Sequence, residues 1–506
     1  MGKLARRISE VAGWTLASRL LGLIRDILLF ASLGTGPLNS AFILAFTLPN
    51  LFRRLLGEGA LTSSSIPVLS ESLEKTGREE TFRLFNAILS RLCAGLVVLV
   101  LAGIPLFGLI KLIPGLDERW YAGADLSRIL FPYVVFICAG ALVCGMLNVL
   151  GRFGLAAFNQ VWLNVAMIVS ILGGLWLLPD DAWARVLVLS SGVIIGGLLQ
   201  FGVPVAGLRR DGWRLRFSME SHPELGKILR LFLPGLLGAA IFQINILVCR
   251  LLAFSLDDTA TGLLYIASRL VELPLGVFAI AVTTVIFPEL SRLSASGDAR
   301  SYSNTFSRGL GLIFAITLPA TLGLALMASP ILGFLFQWGL FESKDVAAAV
   351  PVLVVSSLGL PFFAWSTLLT RAWYARQEIV VPVRLAGLNL ILNLVLGLVL
   401  MRFLGAVGLA LANTVSAAIH CLALQYFMPG RILSATRWSM VFRLGAALSI
   451  LAVVTLAGQQ GVAWFNLSGK ITDLLSVVLV IPLAAGVYLG ALVLMKYPAI
   501  RYLMDK

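Results

Sequence analysis

The sequence predicts an all-α integral membrane protein with about fourteen transmembrane helices. Of its 506 residues, 59% are hydrophobic and only 13% are charged, whereas about a quarter of the residues in a soluble domain carry charge. The apolar runs are about 20 residues long, which is the length of helix that crosses a bilayer. A membrane β-barrel would show shorter segments that alternate between apolar and polar residues.

The predicted spans follow one another through short loops, and the second and eighth are long enough to project from the bilayer. In chain order they are 11–33, 40–70, 84–110, 126–150, 158–178, 186–207, 228–254, 262–290, 307–327, 347–370, 383–401, 407–427, 440–458 and 473–495. With these bounds, 25 lysines and arginines lie on one set of alternate loops and seven on the other. The positive-inside rule then places both termini in the cytoplasm. The net charge of +14 is therefore a sign of topology, and we expect no nucleic-acid partner.

The chain contains an internal repeat. Asn164 follows Pro132 by 32 residues, and Asn393 follows Pro361 by the same distance. A second pair of similar motifs, in the second and eighth spans, is offset by 221 residues. Six helices per copy is an even number, so the two copies share one orientation, as in parallel-repeat transporters. The predicted organisation is an N-terminal lobe of helices 1–6 (1–207), a cytoplasmic linker (208–227), a C-terminal lobe of helices 7–12 (228–427) and two C-terminal helices (428–506).

Arg19, Arg25, Arg53 and Arg269 all lie inside predicted spans. An arginine near the centre of a spanning helix costs about 2.5–3.5 kcal/mol on insertion scales, so each requires a compensating role. The predicted topology places all four at intermediate depth, where they can face a seam between the lobes.

Two explanations for these arginines are open. In the first, they form ion pairs with Asp26, Glu58 and Glu272 and hold helices together. With Arg54 included, however, five arginines face three carboxylates, and a buried surplus of positive charge favours an anionic ligand. Guanidinium suits a phosphate because its planar fork donates two parallel hydrogen bonds and stays charged at any working pH. We therefore favour a diphosphate as the ligand.

No nucleotide-binding or catalytic motif accompanies this charge. The Gly469-Lys470 pair lacks the upstream glycine of a P-loop, so we expect no ATP-driven transport here. A membrane glycosyltransferase would carry an acidic or histidine base in a large external loop, and the external loops are short. We expect a transporter and not an enzyme. A multidrug or cation antiporter is a weaker alternative, because it would need acidic residues in its cavity.

Several motifs resemble the lipid II flippase family, MurJ, of the multidrug/oligosaccharidyl-lipid/polysaccharide exporter superfamily. The resemblance covers nearly the whole chain and is most specific near the N-terminus. It rests on Ser18–Gly22 with Arg25-Asp26, Ala41-Phe42, Leu48–Arg54, Glu58–Ala60, Phe131–Tyr133, Leu147-Asn148, Arg152-Phe153, Ser268–Glu272 with Pro274, Phe336–Gly339 and Tyr374–Gln377. It implies two six-helix lobes of that superfamily and two C-terminal helices that form a groove for a lipid tail.

The resemblance implies that the chain flips lipid II, the undecaprenyl-diphosphate-linked peptidoglycan precursor, across the bacterial cytoplasmic (inner) membrane by alternating access. The implied diphosphate-binding residues are Arg19, Arg25, Arg53 and Arg269. The implied supporting cavity and gate residues are Ser18, Asp26, Ser40, Arg54, Glu58, Ser268 and Glu272. Ser40 and Ser268 stand where the family often has aspartates, so we expect hydroxyl contacts to replace one gate interaction. A flippase for another polyprenyl-diphosphate-linked oligosaccharide would need the same arginines and stays open as an alternative.

Some members of the family place a sodium ion in the C-terminal lobe. The nearest polar set here is Asn389, Asn393, Asn413 and Thr414. None is acidic, and a cation site without a carboxylate is weak, so we favour hydrogen bonding of the asparagines across helices. We expect no cofactor, and a sodium ion, a proton or the membrane potential stay open as the drive. Expected partners are lipid II, membrane lipids and the cell-wall synthesis machinery.

Overall fold

The computed structural model describes residues 2–57, 59–430 and 438–498, and these residues are almost entirely helical. The chain divides into two compact units, residues 1–254 and 255–506. The predicted C-terminal lobe begins at residue 228, whereas this division leaves most of the helix that begins at Pro223 in the first unit. The predicted lobes and linker stay predictions.

The described residues of the first unit form nine α-helices and a π-helical turn, Arg53–Gly57, between the second and third helices. A short 3₁₀ turn, Ile110–Leu112, follows the fourth helix. The α-helices are α1 (Gly2–Leu33), α2 (Pro37–Phe52), α3 (Ala60–Lys75), α4 (Gly77–Leu109), α5 (Glu118–Leu130), α6 (Tyr133–Val149), α7 (Phe153–Leu177), α8 (Ala182–Arg210) and α9 (Pro223–Leu256), the last of which ends two residues past the division between units.

In the second unit, the part of the chain that the structure describes forms ten α-helices and two further π-helical turns. The π-helical turns are Leu275–Ala279 and Ser476–Val480. The α-helices are α10 (Ala260–Pro274), α11 (Ile280–Ala295), α12 (Ala299–Leu326), α13 (Ala328–Phe336), α14 (Ser343–Leu358), α15 (Leu360–Ala375), α16 (Val380–Tyr426), α17 (Trp438–Ala463), α18 (Gly469–Leu475) and α19 (Ile481–Leu494).

All fourteen predicted spans fall on helices or on consecutive helical pieces, which confirms the all-α membrane fold class. Among the described residues, nine helices are long and apolar enough to cross a membrane, or ten if the bent pair α5 and α6 forms one span. Three predicted spans are not among these helices. The first lies in α1, which carries several charges, and the second and eighth are each divided into shorter helices. The eleventh and twelfth spans count as one helix, because α16 joins them through a kink at Gly405. The number fourteen and the cytoplasmic termini stay predictions.

The internal repeat is visible in where the helices break. The second predicted span is interrupted by the π-helical turn at 53–57, and the eighth is interrupted by the one at 275–279. The fourth span breaks at Pro132 and the tenth at Gly359, one residue before α15 begins with Leu360-Pro361. Proline removes a backbone donor and its ring clashes with the preceding turn, so equivalent prolines disrupt equivalent helices. In both units the broken second helix packs on the first half of the fourth, α2 on α5 and α10 on α14.

The C-terminal helices pack on the other helices of the second unit. Tyr488 of α19 donates from its hydroxyl to the carbonyl oxygen of Ala315 in α12 at 2.8 Å. The ammonium of Lys470 at the start of α18 donates to the carbonyl oxygens of Gly333 and Gln337. These are carbonyls at the end of α13 that its own helix leaves without a partner. The lipid-tail groove expected beside these helices stays a prediction.

Candidate functional site

The junction of α1 and α7 contains a buried ion pair. Arg25 and Asp26 are adjacent on α1, and their side chains are only 8% and 4% exposed. The guanidinium donates to Oδ1 of Asp26 from Nη2 at 2.7 Å and from Nε at 3.1 Å. Both groups are thus removed from solvent and lipid together, and the ion pair offsets much of the desolvation of each charge.

Asn164 of α7 joins this pair to the rest of α1. Its Oδ1 accepts a hydrogen bond from Nη1 of Arg25 at 2.9 Å, and its Nδ2 donates to the carbonyl oxygen of Ser18 at 3.0 Å. A Cβ atom added to Gly22 would lie 3.8 Å from both polar atoms of the amide. The three α1 positions are Ser18, Gly22 and Arg25, which share one helical face. Asn164 therefore holds that face of α1 against α7 over two turns.

Arg19 is in a different environment from Arg25, six residues away on the same helix. The residue is exposed, while the neighbouring Ser18 is buried at 7%. The two arginines that α1 supplies are therefore not equivalent in this conformation. Arg19 has surface available to a ligand, and Arg25 is enclosed by protein.

Arg53 and Arg54 occupy the first two positions of the π-helical turn after α2. Both residues are half-buried, and Nε of Arg53 donates to Oδ1 of Asn50 at 3.4 Å. π-helical turns inside α-helices occur frequently at functional sites. Glu58, the predicted acidic neighbour, lies outside the described residues.

In the second unit, Arg269 of α10 lies in a partly open setting. Its Nη1 is 3.3 Å from Oε2 of Glu272, and the two side chains are 34% and 51% exposed. Its Nη2 donates to the hydroxyl of Tyr265 at 2.8 Å, and the guanidinium carbon lies 4.8 Å from the centre of that ring. A cation over an aromatic face is attracted by the ring quadrupole, so Tyr265 orients Arg269 without neutralising it.

Two of the predicted ion pairs are therefore present, Arg25 with Asp26 and Arg269 with Glu272. The first pair is buried and the second is partly exposed. Ligand binding by the arginines stays a prediction.

The two serines predicted to lie at a gate also differ. Ser40 in α2 is completely buried, whereas Ser268 in α10 is half-buried and donates from Oγ to the carbonyl oxygen of Tyr265 at 2.8 Å. The hydroxyl of Ser268 thus makes a contact inside its own helix. The gate interaction expected of the two serines stays a prediction.

The predicted cation-site residues are all on α16. Thr414 donates from Oγ1 to the carbonyl oxygen of Val355 at 3.0 Å, close to the break between α14 and α15. Asn393 is buried at 3%, and Asn413 accepts a hydrogen bond from Ser416 through its backbone carbonyl at 3.1 Å. The Oδ1 atom of Asn389 is buried without a hydrogen-bond partner. Thr414 therefore bonds across to the end of α14, and cation binding stays a prediction.

Sequence reasoning missed the roles of Asn164 and Tyr265. Asn164 stands out in the sequence only as a marker of the repeat, because an amide carries no charge and its partner Arg25 lies 139 residues away. Tyr265 could have been found, because it lies four residues before Arg269 and such residues are neighbours on one helical face.

Comparisons with known proteins agree with one family. The family described as Lipid II flippase MurJ matches residues 30–495. A protein of Bdellovibrio bacteriovorus named "Probable lipid II flippase MurJ" is 35% identical over 490 residues, which cover 92% of this chain and 92% of that protein. A solved structure of lipid II flippase MurJ in an inward closed conformation matches with a TM-score of 0.76 at 23% identity, over 98% of this chain and 99% of that one. An inward-facing MATE family multidrug resistance transporter matches with a TM-score of 0.70 at 16% identity, over 82% of this chain and 94% of that one. At these identities the two structures show the shared fold alone.

Proposed function

Because this chain belongs to the lipid II flippase MurJ family, we propose that it moves lipid II across the bacterial inner membrane for peptidoglycan synthesis. Lipid II is an undecaprenyl-diphosphate glycopeptide. Its charged diphosphate is very costly to transfer from water into hydrocarbon, because an unpaired charge loses its hydration there. A protein that moves it must supply compensating positive charge within the membrane.

The observation that carries this proposal is the accessible guanidinium surface on otherwise apolar helices. Arg19 is exposed, Arg53 is half-buried on a π-helical turn, and the Arg269 side chain is 34% exposed. Guanidinium groups bind phosphate oxygens through paired hydrogen bonds. Each of these three arginines keeps surface that a diphosphate can reach in this conformation.

We infer that Arg269 exchanges partners when lipid II binds. Its contact to Glu272 is solvent-accessible and 3.3 Å long, and an exposed pair of this kind is worth less than about 1 kcal/mol. A diphosphate offers several acceptor oxygens with more charge than one carboxylate. Tyr265 stays in place under the guanidinium and keeps it oriented during the exchange.

Arg25 has to be released before it can act in the same way. It is closed in by Asp26 and Asn164, so it reaches a diphosphate only when this face of α1 separates from α7. We propose that Asn164 is the latch that keeps α1 on α7 in the present conformation and that opening the latch is one step of alternating access.

The membrane potential can drive this movement without a bound ion. Each negative charge that leaves a negative interior gains about 2.3 kcal/mol per 100 mV, and a diphosphate carries more than one such charge. A sodium ion would have to use neutral oxygens such as Oδ1 of Asn389. We therefore propose the potential as the principal drive.

The function is tested by expressing the chain in a walled bacterium whose own lipid II flippase has been depleted. The wild type should restore growth and lower the amount of lipid II on the inner leaflet. Arg53→Ala should fail to restore growth while it accumulates in the membrane at wild-type level. Arg402→Ala is the matched control, because Arg402 is an exposed residue outside the proposed site.

Two results would contradict the proposal in different ways. Growth restored by Arg53→Ala as well as by the wild type would remove Arg53 from the diphosphate site. If the wild type fails to restore growth but transports a different polyprenyl-diphosphate-linked oligosaccharide, the role of the arginines would stand and lipid II would be the wrong substrate.

A further inference from the structure

The segment between α8 and α9 is attached to the first unit along α4. We call residues 213–220 the strap. Trp213 is 1% exposed, packs edge-on against the ring of Phe85 at 5.5 Å, and donates from its indole nitrogen to Oδ1 of Asn86 at 3.0 Å. The strap therefore starts from a fixed point on α4, although it is neither helix nor strand.

The rest of the strap is held through its backbone. Nδ2 of Asn86 donates to the carbonyl oxygen of Arg214 at 3.1 Å, and the amide of Ser218 donates to Oγ of Ser90 at 2.9 Å. Arg91 donates from Nη2 to the carbonyl oxygens of Met219 and Glu220, both at 2.9 Å. Because α4 binds the strap through backbone groups, these bonds do not depend on which side chains the strap carries.

Those side chains alternate strictly between apolar and polar. The apolar positions are Trp213, Leu215, Phe217 and Met219, and the polar positions are Arg214, Arg216, Ser218 and Glu220. In extended backbone, alternate residues point to opposite faces. Apart from Trp213, the apolar side chains are exposed, with Leu215 at 45%, Phe217 at 75% and Met219 at 47%. Beyond Trp213, the strap thus exposes three apolar and two basic side chains.

The contacts with α4 place the strap at the edge of the hydrocarbon layer. The uncharged run of α4 and the turn after it covers residues 92–110, which corresponds to about 28 Å at 1.5 Å per residue, close to the thickness of the hydrocarbon core. The strap is bound to Asn86, Ser90 and Arg91, immediately before this run. Arg91 also donates back to the carbonyl oxygen of Ala87 at 3.0 Å, so its charge is drawn away from the apolar run.

We propose that the strap is a membrane-surface anchor that binds anionic phospholipid headgroups of the adjacent leaflet. Leu215, Phe217 and Met219 would enter the boundary between headgroups and acyl chains, and Arg214 and Arg216 would contact phosphates. Amphipathic segments of this composition bind membrane interfaces through these two contributions together.

The local charge agrees with an anionic lipid. Arg209 and Arg210, both exposed at the end of α8, add to the two arginines of the strap. The nearest acid, Asp211, is engaged by Arg152 at 2.8 Å, and Glu220 is the one acid within the strap. The surface therefore keeps a net positive charge, on the side that the positive-inside rule assigns to the cytoplasm.

The proposal is tested on the full chain in nanodiscs of mixed phosphatidylcholine and phosphatidylglycerol, with a photoreactive benzophenone side chain in place of Phe217. After illumination, mass spectrometry identifies the crosslinked lipid. We expect lipid adducts in which phosphatidylglycerol is enriched over its share of the nanodisc. Each arginine at an anionic surface contributes about fivefold to binding, so the Arg214→Gln/Arg216→Gln variant should lose most of the enrichment.

The matched control is Arg292→Gln/Arg300→Gln, which removes the same charge from two exposed positions of the second unit and should leave the enrichment unchanged. Adducts in the bulk lipid ratio, crosslinks to protein in place of lipid, or equal enrichment in both double variants would each overturn the proposal. A benzophenone in place of Phe442, which is 79% exposed on α17, checks that lipid adducts form elsewhere without headgroup preference. The readout is independent of lipid II transport.

Discussion

Arg25 in the first unit and Arg269 in the second have the same charge and the same kind of partner, yet they differ in burial. The Arg25–Asp26 pair is 8% and 4% exposed at a 2.7 Å separation, and the Arg269–Glu272 pair is 34% and 51% exposed at 3.3 Å. Burial makes the first pair hard to break on one side, because the remaining charge would be left without compensation. The second pair can exchange its carboxylate for another anion at little cost. The comparison indicates that Arg25 is fixed between α1 and α7 in this conformation, while the Arg269 side chain stays accessible.

The largest expected difference is between Asp26→Asn and Glu272→Gln. Asp26→Asn leaves Arg25 buried without its counter-charge and should lower the free energy of unfolding by about 3–5 kcal/mol. Glu272→Gln should lower it by less than about 1 kcal/mol. Unfolding of the two variants in the same detergent measures both values, and equal losses would show that the two pairs are equivalent after all.

The latch gives the next largest expected effect. Asn164→Leu removes the hydrogen bond to a charged group, worth about 1.5–3 kcal/mol, and should also loosen α1 from α7. Asn159→Leu is the control on the same helix, because Asn159 is buried and its Oδ1 lacks a hydrogen-bond partner. It should cost less than about 1 kcal/mol. Hydrogen exchange of α1 residues 15–26 tests the loosening, and unchanged exchange in Asn164→Leu would argue against a latch.

Aspartate introduced at positions 40 and 268 should have unequal effects. The resemblance to the flippase family leads us to expect that both substitutions are neutral or better, but Ser40 is completely buried and Ser268 is half-buried. An added carboxylate at position 40 must be desolvated, which should cost more than the roughly 1–3 kcal/mol of a buried neutral group, whereas Ser268→Asp places the charge beside Arg269. Melting temperatures of the two single variants give the answer. A Ser40→Asp variant with the melting temperature of the wild type would contradict this cost and support the expectation that both substitutions are neutral.

The smallest effect concerns the tie between α3 and α9. Glu71 lies 2.5 Å from the ammonium of Lys227 and 2.6 Å from that of Lys75, and these hydrogen bonds lower the pKa of Glu71 from 4.5 to about 2. Because its pKa is lowered on folding, Glu71 stabilises the protein fully above pH 4.5, and this contribution is lost as the pH falls towards 2. The melting temperature of Glu71→Gln should therefore approach that of the wild type as the pH falls through this range. A constant difference between the two proteins would contradict the shifted pKa.

The helices and their breaks could be predicted from the sequence for simple reasons. A long apolar run can satisfy its backbone in lipid only as a helix, and prolines mark where such a helix bends. Pro49 precedes the π-helical turn at 53–57, and Pro132 and Pro361 lie at the two equivalent breaks. The predicted loop between the eleventh and twelfth spans is a single kink at Gly405, whose φ of 57° a glycine adopts without strain.

The contacts of the candidate site could be predicted only in part. Arg269 and Glu272 are three residues apart on one helix, so sequence spacing indicates their pair. Arg25 and Asp26 are adjacent, and helical spacing alone does not place adjacent side chains together. The bond from Arg25 to Asn164 depends on which helix packs on α1, and helix pairing is not encoded in local spacing. The sequence predicts only a linker at the strap. Its attachment to α4 depends largely on neutral side chains and backbone groups, which leave no pattern in the sequence.

The central claim is that the membrane arginines hold the diphosphate of lipid II. It is tested most directly by native mass spectrometry of the purified chain with lipid II, comparing the wild type with Arg53→Gln, Arg269→Gln and the control Arg402→Gln. We expect the wild type and Arg402→Gln to retain lipid II and both site variants to lose at least about tenfold in affinity, because a charge-assisted hydrogen bond contributes about 1.5–3 kcal/mol. Equal retention of lipid II by all four proteins would contradict the account.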